Sequence, residues 1–175
     1  MIDWDDSFDN SGYVNGADKL PERWAVEAEA YRFSSVAKQR ALLDLPYGPD
    51  AREVFDLFLP QQAPVGTTVF VHGGYWHRLS KSYFSHFAKG CVENGWAVAV
   101  PSYPLAPHAT ITRITDSVTR LLCHIVESGN DELAEITNTP IVIAGHSAGG
   151  HLVSRMACDG VLPCLLYTSL SPRDS

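Results

Sequence analysis

The sequence has few cysteines, no excess of basic residues and no long apolar run. Its cysteines are scattered along the chain without a C-x-x-C pair or the spacing of a small disulfide-rich domain; they are Cys91, Cys123, Cys158 and Cys164. Three of them fall in helical apolar patterns that are typical of buried thiols. A formal net charge of −7 argues against nucleic acid or an anionic membrane as the main partner. No apolar stretch has the length needed to span a bilayer.

The first residues also lack the basic and apolar regions of a signal peptide, since residues 1–6 read M-I-D-W-D-D. We therefore expect a cytoplasmic protein. Of the 175 residues, 45% are hydrophobic and 19% are charged, an ordinary globular composition that provides one core. The sequence holds no signal for an oligomeric state.

Residues 141–151 carry the strongest functional signal. A β-branched apolar run ends in the turn G-H-S-A-G at residues 145–149, and a helical pattern follows at once. This is the nucleophile-elbow motif G-x-S-x-G in the strand–turn–helix context that it requires. The flanking glycines relieve the crowding of so sharp a bend, which lets the Ser147 hydroxyl project beyond the sheet. The first N–H of the helix, on Ala148, is placed to stabilise an oxyanion.

Two other interpretations of this turn carry less weight. A bare G-x-S-x-G occurs by chance, so the motif alone would indicate only a glycine-rich turn between a strand and a helix. A nucleotide-binding turn is disfavoured for two reasons. Ser147 stands where a dinucleotide-binding fingerprint needs its middle glycine, and the Gly-Lys-Ser/Thr of a phosphate-binding loop does not follow.

A second motif comes directly after a predicted buried strand, where residues 72–77 read H-G-G-Y-W-H. Two glycines at such a place, Gly73 and Gly74, let the backbone approach a ligand closely. This is the HGG type of oxyanion loop found in esterases and lipases; the alternative is a plain strand-to-helix loop. A metal site at the two histidines is disfavoured, because there is no H-E-x-x-H and no acidic third ligand nearby.

The remaining pattern predicts alternating helices and strands. An irregular arm covers residues 1–20, and Pro21 suits the first turn of a helix that runs to about residue 40. The predicted strands are residues 53–59, 67–71, 96–100 and the run from residue 141; further helices cover residues 84–94 and 111–125, and a turn covers residues 45–50. Such alternation gives an α/β fold with a right-handed, mostly parallel sheet and helices on both faces. Both motifs then lie at the carboxyl ends of strands, where sites gather.

At three stretches the sequence resembles α/β-hydrolases of the arylformamidase (kynurenine formamidase) and esterase branch. These stretches are H-G-G-Y-W at residues 72–76, Y-P-L-A-P at residues 103–107 and G-H-S-A-G-G-H-L at residues 145–152. The Tyr-Trp pair after H-G-G favours the formamidase-like branch over the hormone-sensitive-lipase branch. Related esterases often carry arginine where this chain has Pro104. The resemblance covers about residues 20–163 and implies the N-terminal part of an α/β-hydrolase fold.

The resemblance implies a serine hydrolase with Ser147 as its nucleophile. Oxyanion N–H groups would come from Gly73, Gly74 and Ala148. Tyr75 and Trp76 would line the acyl or aryl pocket, or else pack the loop. The implied reaction cleaves a carboxylic ester or aryl-formamide bond of a small-molecule substrate through an acyl-enzyme, with no metal or organic cofactor. A lipase for long acyl chains is a weaker alternative.

The base and acid of the expected triad are missing from the sequence. In this fold the chain order is Ser, then Asp or Glu, then His. Ser147 is followed only by His151, Asp159 and Asp174. His151 falls one helical turn after the serine, which favours a helix-surface residue over a base. We therefore expect residues 21–163 to be a C-terminally truncated part of a domain that needs roughly 200–250 residues. The alternative is an inert fragment or binding module derived from such a hydrolase.

Residues 164–175 differ in character from the rest. The stretch C-L-L-Y-T-S at residues 164–169 can be encoded by a string that resembles the transposase mosaic end of sequencing adaptors, although Leu170 departs from that pattern. We expect this tail to be non-native; a genuine short tail is the alternative.

Overall fold

A computed structural model describes residues 3–9, 12–127, 133–158 and 161. These residues form five strands, which are β1 (Ala41–Pro46), β2 (Val54–Phe58), β3 (Gly66–Val71), β4 (Trp96–Pro101) and β5 (Ile141–Gly145). They also form five α-helices, which are α1 (Trp4–Phe8), α2 (Leu20–Ala37), α3 (Ala88–Glu93), α4 (Ile111–Glu127) and α5 (Ala148–Met156). Short 3₁₀ turns cover Ala17–Lys19, Lys81–Tyr83 and Ser85–Phe87. The predicted non-native tail lies outside the described residues.

One five-stranded sheet has the order β1-β2-β4-β3-β5. Strand β3 runs parallel to its neighbours β4 and β5, whereas β2 runs antiparallel to both β1 and β4. The described sheet is therefore mixed, and the predicted parallel arrangement applies to β4, β3 and β5. The sequence reading missed β1, whose pairing with β2 shifts between Leu42 and Leu45 at Asp44, a residue with φ 58°.

The helices follow the predicted order with small changes at their ends. Helix α2 has Pro21 in its first turn, as the proline pattern predicts. The helix predicted over residues 84–94 is instead two 3₁₀ turns followed by α3. The arm of residues 1–20, predicted to be irregular, contains α1 and one 3₁₀ turn among its described residues. None of the described helices is both long and apolar enough to cross a membrane.

The core lies on both faces of the sheet. Along β4, Ala97 and Ala99 belong to the cluster that packs against α4 and α5, while Val98 and Val100 belong to the cluster formed with Phe84 and the α2–α3 side. This alternation is the period of two expected when both faces of a strand are covered. The prediction of an α/β sheet with helices on both faces is confirmed.

The carboxyl ends of β3 and β5 meet at one edge of the sheet. The two strands are paired in parallel as far as Val71 opposite Gly145, so their next residues emerge side by side. The segment after β3 is His72 to Leu79, which we call the HGG loop; the turn after β5, residues 145–149, is the elbow. This register places the two sequence motifs next to each other.

Candidate active site

The elbow holds Ser147 in a strained backbone conformation. Ser147 has φ 54° and ψ −118° at the junction of β5 and α5. A residue with a side chain rarely adopts such angles, which cost about 1–3 kcal/mol and persist only when the surrounding structure imposes them. The His146 N–H donates to the Val71 carbonyl (3.1 Å) and the Gly149 N–H to the His146 carbonyl (2.9 Å), which fixes both sides of the bend. The Ser147 residue itself is exposed.

Glycine is required on either side of the serine. A Cβ atom on Gly145 would lie 2.4 Å from the carbonyl carbon and oxygen of Gly149. A Cβ atom on Gly149 would lie 2.0 Å from the Val71 carbonyl oxygen and 2.6 Å from that of His72. The contacted atoms are backbone and cannot move aside independently. The tight approach of helix α5 to strands β3 and β5 therefore depends on these two residues.

The HGG loop contains several residues with positive φ. They are Gly74 (122°), Tyr75 (50°), Trp76 (59°) and Leu79 (70°). The N–H groups of His77 and Arg78 both donate to the Gly74 carbonyl, at 3.1 and 3.0 Å. A Cβ atom on Gly74 would lie 2.1 Å from the Arg78 carbonyl oxygen, so this tight turn requires glycine. The loop folds back on itself immediately beside the elbow.

Gly73 is the point at which the two loops touch. A Cβ atom there would lie 3.1 Å from the Ser147 Cβ and 2.8 Å from the His146 carbonyl oxygen. Among the described residues, none accepts a hydrogen bond from the N–H groups of Gly73, Gly74 or Ala148. The structure thus places Gly73 against Ser147, and the assignment of Gly73, Gly74 and Ala148 as oxyanion donors stays a prediction.

His72 is a buried, neutral histidine at the start of the HGG loop. Its ring is stacked between those of Tyr103 (4.2 Å) and Phe84 (5.8 Å), with an interplanar angle of 11° in each case. Burial lowers the pKa of His72 to about 4. Its Nδ1 lies 2.6 Å from the Gly73 carbonyl oxygen, which only accepts, so Nδ1 carries the proton of the neutral ring. The His72 side chain therefore supports the HGG loop from the protein interior and is not exposed as a base.

Two further residues contact the HGG loop from distant parts of the chain. The Tyr103 hydroxyl donates to the His72 carbonyl at 2.8 Å. Arg52 donates from Nε to the Tyr103 carbonyl and from Nη2 to the Leu79 carbonyl, both at 2.8 Å. Sequence reasoning missed Arg52. The sequence held one signal for it: Pro104 stands where related esterases often carry arginine, so an arginine from elsewhere in the chain could take that place.

Tyr75 and Trp76 lie at different depths. Trp76 is half-buried, packs against the core cluster below α4 and α5, and meets the His151 ring edge-on at 5.3 Å. Tyr75 is 43% exposed, and the Arg78 guanidinium carbon lies 5.4 Å from the centre of its ring. Trp76 therefore packs in the protein and Tyr75 is open to solvent, and the pocket role of both residues stays a prediction.

The histidines of the elbow region have distinct surroundings. The ring of His146 packs against the rings of Trp24 and Phe84, each at 5.9 Å between centroids. His151 is exposed on α5; its N–H donates to the Ser147 carbonyl at 3.2 Å and its ring faces Trp76. The assignment of His151 to the helix surface rather than to base catalysis stays a prediction.

The profile of the BD-FAE family matches residues 55–162, a range that includes both the HGG loop and the elbow. The chain belongs to this family. A kynurenine formamidase from Drosophila melanogaster is 34% identical over 68% of the chain and 39% of its own length. An esterase from Gibberella moniliformis is 27% identical over 70% of the chain and 38% of its own length. The chain thus spans about two fifths of the length of these curated relatives.

A crystal structure from Silicibacter sp., described as a candidate thioesterase, has the same fold. It is 46% identical to this BD-FAE member, with a TM-score of 0.85 over 95% of the chain and 60% of its own length. These relatives confirm the predicted resemblance to the arylformamidase and esterase branch of the α/β-hydrolases.

Proposed function

We propose that this chain carries the nucleophile and oxyanion site of a serine hydrolase that cleaves a carboxylic ester or aryl-formamide bond. The observation that carries the proposal is the strained Ser147 at φ 54°, held against Gly73 of a second loop. Strain at an exposed serine is typical of a nucleophile that must project from a sharp turn. A serine with only a structural role would not need this strained backbone conformation.

The reaction proceeds in two halves. The Ser147 hydroxyl oxygen attacks the substrate carbonyl carbon while its proton passes to a general base, and the C–O or C–N bond then breaks as the leaving group takes a proton. Water hydrolyses the resulting acyl-enzyme and regenerates the serine. We assign the base to none of the described residues, since the ring of His151 packs edge-on against Trp76.

The negative oxygen of the tetrahedral intermediate needs donors that are already in place. We assign this role to the N–H groups of Gly73, Gly74 and Ala148. The Ala148 N–H opens helix α5 and has the positive end of the helix dipole behind it. In comparable enzymes the loss of one such donor lowers kcat by about 10²–10³-fold.

Two substrate classes follow from the relatives, one of which is named a formamidase and the other an esterase. We place the acyl or aryl group of the substrate beside Tyr75, because this aromatic side chain is exposed on the same loop that contacts Ser147 through Gly73. Comparing an aryl formamide with short-chain and long-chain aryl esters tests this choice. A rate that falls steeply beyond short acyl chains would exclude a lipase for long chains.

A fluorophosphonate probe tests the nucleophile directly in the protein as it exists. Labelling should be lost in Ser147→Ala and kept in Ser154→Ala, a matched control on the same helix whose hydroxyl donates to the Gly150 carbonyl. Labelling that persists in Ser147→Ala would contradict the assignment. A folded protein that does not label at all would support the inert-module alternative.

A further inference from the structure

We propose that Tyr103 and Arg52 form a clamp that holds both ends of the HGG loop and thereby positions its N–H groups for the oxyanion. This inference rests on the proposed function for its catalytic consequence. Its structural content, the fixing of the loop by two residues outside it, can be tested without any turnover.

Tyr103 holds the first residue of the loop in two ways. Its hydroxyl donates to the His72 carbonyl at 2.8 Å, and its ring stacks on the His72 imidazole at 4.2 Å. The Tyr103 side chain is fully buried, and burial raises the pKa of its hydroxyl, so the group stays protonated and remains a donor. A phenylalanine at this position would keep the stacking but lose the hydrogen bond.

Arg52 joins Tyr103 to the last residue of the loop. Its guanidinium donates to the carbonyls of Tyr103 and Leu79, so one planar group links the segment after β4 with the end of the HGG loop. Arg52 comes from the turn between β1 and β2, where its own N–H donates to the Asp50 carboxylate at 2.8 Å. The anchor therefore belongs to the antiparallel side of the sheet and not to the loop.

The clamp acts on the oxyanion donors through one peptide group. The protonated Nδ1 of His72 donates to the Gly73 carbonyl oxygen. In a trans peptide the carbonyl and the following N–H point in opposite directions, so fixing the Gly73 carbonyl also fixes the direction of the Gly74 N–H. Between the clamped ends lie Gly74, Tyr75 and Trp76 with positive φ, a strained run that needs external support.

Tyr103→Phe is the decisive variant, and Tyr47→Phe is its matched control. Tyr47 is also buried and its hydroxyl also donates to a backbone carbonyl, that of Ser102, at 2.5 Å; its other contact is the Ser117 hydroxyl. Tyr103→Phe loses one buried hydrogen bond and Tyr47→Phe loses two, so Tyr47→Phe should lower the melting temperature at least as much as Tyr103→Phe. Only Tyr103→Phe should speed amide hydrogen exchange in residues 72–79.

The kinetic result should separate the two variants in the same way. We expect Tyr103→Phe to lower kcat and the rate of fluorophosphonate labelling by roughly tenfold to a hundredfold with little change in KM, because a misplaced donor weakens transition-state binding. Tyr47→Phe should keep kcat within about twofold. If both variants show the same exchange in the loop and the same kcat, the clamp is overturned.

Arg52→Ala gives an independent test. It should show the faster loop exchange and lower kcat of Tyr103→Phe, and added methylguanidinium should restore part of both, while Arg52→Lys should not replace the two-point contact. Exchange that is unaltered in Arg52→Ala would overturn the clamp. If the wild-type protein fails to label at Ser147, the proposed function falls, but hydrogen exchange still decides whether the clamp exists.

Discussion

The two loops that meet at Ser147 obtain their shapes in different ways. The elbow is shaped by close backbone packing, since replacement of its glycines would drive a Cβ atom into the backbone of Gly149 or of Val71. The HGG loop has two such glycines, Gly73 and Gly74, but it is also held by side chains from far along the chain. Arg52 and Tyr103 are 51 residues apart in the sequence, yet they converge on this loop.

This difference has a mechanical consequence. A backbone overlap at 2.0 Å has no small adjustment that relieves it, so the elbow is either formed or lost. Each hydrogen bond or stacked ring contributes a modest share of the free energy that orders the HGG loop, so the loss of one contact should increase the mobility of this loop without unfolding it. We expect substitution of Gly145 or Gly149 to destabilise the fold severely and substitutions around the HGG loop to produce graded effects.

The largest effect should come from Gly149→Ala. The new methyl group would lie 2.0 Å from the Val71 carbonyl oxygen and 2.6 Å from that of His72, so helix α5 must move away from β3. We expect a loss of at least about 4 kcal/mol in the free energy of unfolding, measured by urea denaturation.

Gly90→Ala is the control for that experiment, since a Cβ atom at Gly90 meets nothing within 4 Å. Alanine should stabilise helix α3 there by about 0.5–1 kcal/mol. Equal effects of the two substitutions would show that the elbow is not sterically determined.

The next prediction concerns the ion pairs that connect Lys81, just after the HGG loop, to the sheet. Lys81 Nζ lies 2.5 Å from the Asp56 carboxylate on β2 and 2.7 Å from the Asp44 carboxylate on β1. Asp56 is fully buried and would keep only the Asp44 N–H at 3.0 Å and the Arg32 guanidinium at 4.0 Å among its described partners. Lys81→Met therefore leaves the buried carboxylate poorly compensated and should cost about 3–5 kcal/mol. Urea denaturation measures the loss.

A double variant and a control at an exposed ion pair test this explanation of the Lys81→Met effect. Lys81→Met combined with Asp56→Leu should recover part of the loss, because the buried carboxylate is then gone. Lys89→Met breaks an exposed pair with Glu93 and should change stability by less than about 0.5 kcal/mol. A Lys81→Met effect as small as that of Lys89→Met would mean that the anchor is not energetically significant.

The HGG loop should also be more sensitive to acid than the elbow, because of His72. The imidazole has a pKa of about 4 in the folded protein, lowered by burial, against a value of 6.5 when it is exposed. The unfolded chain therefore takes up the proton first, so the stability present above pH 6.5 is lost as the pH falls toward 4.

We expect this single histidine to remove about 3 kcal/mol over that range. The measurement compares the pH dependence of the free energy of unfolding for the wild type and His72→Phe, a variant that keeps a stacked ring. The same slope in both proteins between pH 6.5 and 4 would contradict a buried neutral His72.

The parts of the molecule that follow from short-range rules could be predicted from the sequence. Strands β3 and β4, helix α4 and the strand–turn–helix around Ser147 are encoded by local periodicity and by glycines at fixed spacing. The neighbourhood of Gly73 and Ser147 followed as well, because parallel strands bring their carboxyl ends to one edge of the sheet.

The supports of the HGG loop could not be predicted in this way. Strand β1 has an irregular pairing at Asp44, which breaks the alternation that would have revealed it. The bonds of Arg52 to Leu79 and Tyr103 join residues whose separation in the sequence carries no periodic signal. Which charges pair in the interior, as Lys81 and Asp56 do, depends on the sheet order, and that order became known only with the fold.

The smallest effect on stability should come from Tyr75, an exposed residue of the HGG loop. Because Tyr75 is 43% exposed, Tyr75→Ala should change the free energy of unfolding by less than about 0.5 kcal/mol, like Phe33→Ala at a 79% exposed position on α2. If Tyr75 contacts the substrate, its replacement should raise KM for aryl substrates several-fold and leave kcat for a small alkyl ester unchanged. Phe33→Ala should alter neither constant. A Tyr75→Ala enzyme with the wild-type KM for every aryl substrate would remove Tyr75 from the pocket and leave the HGG loop with a purely backbone role at Ser147.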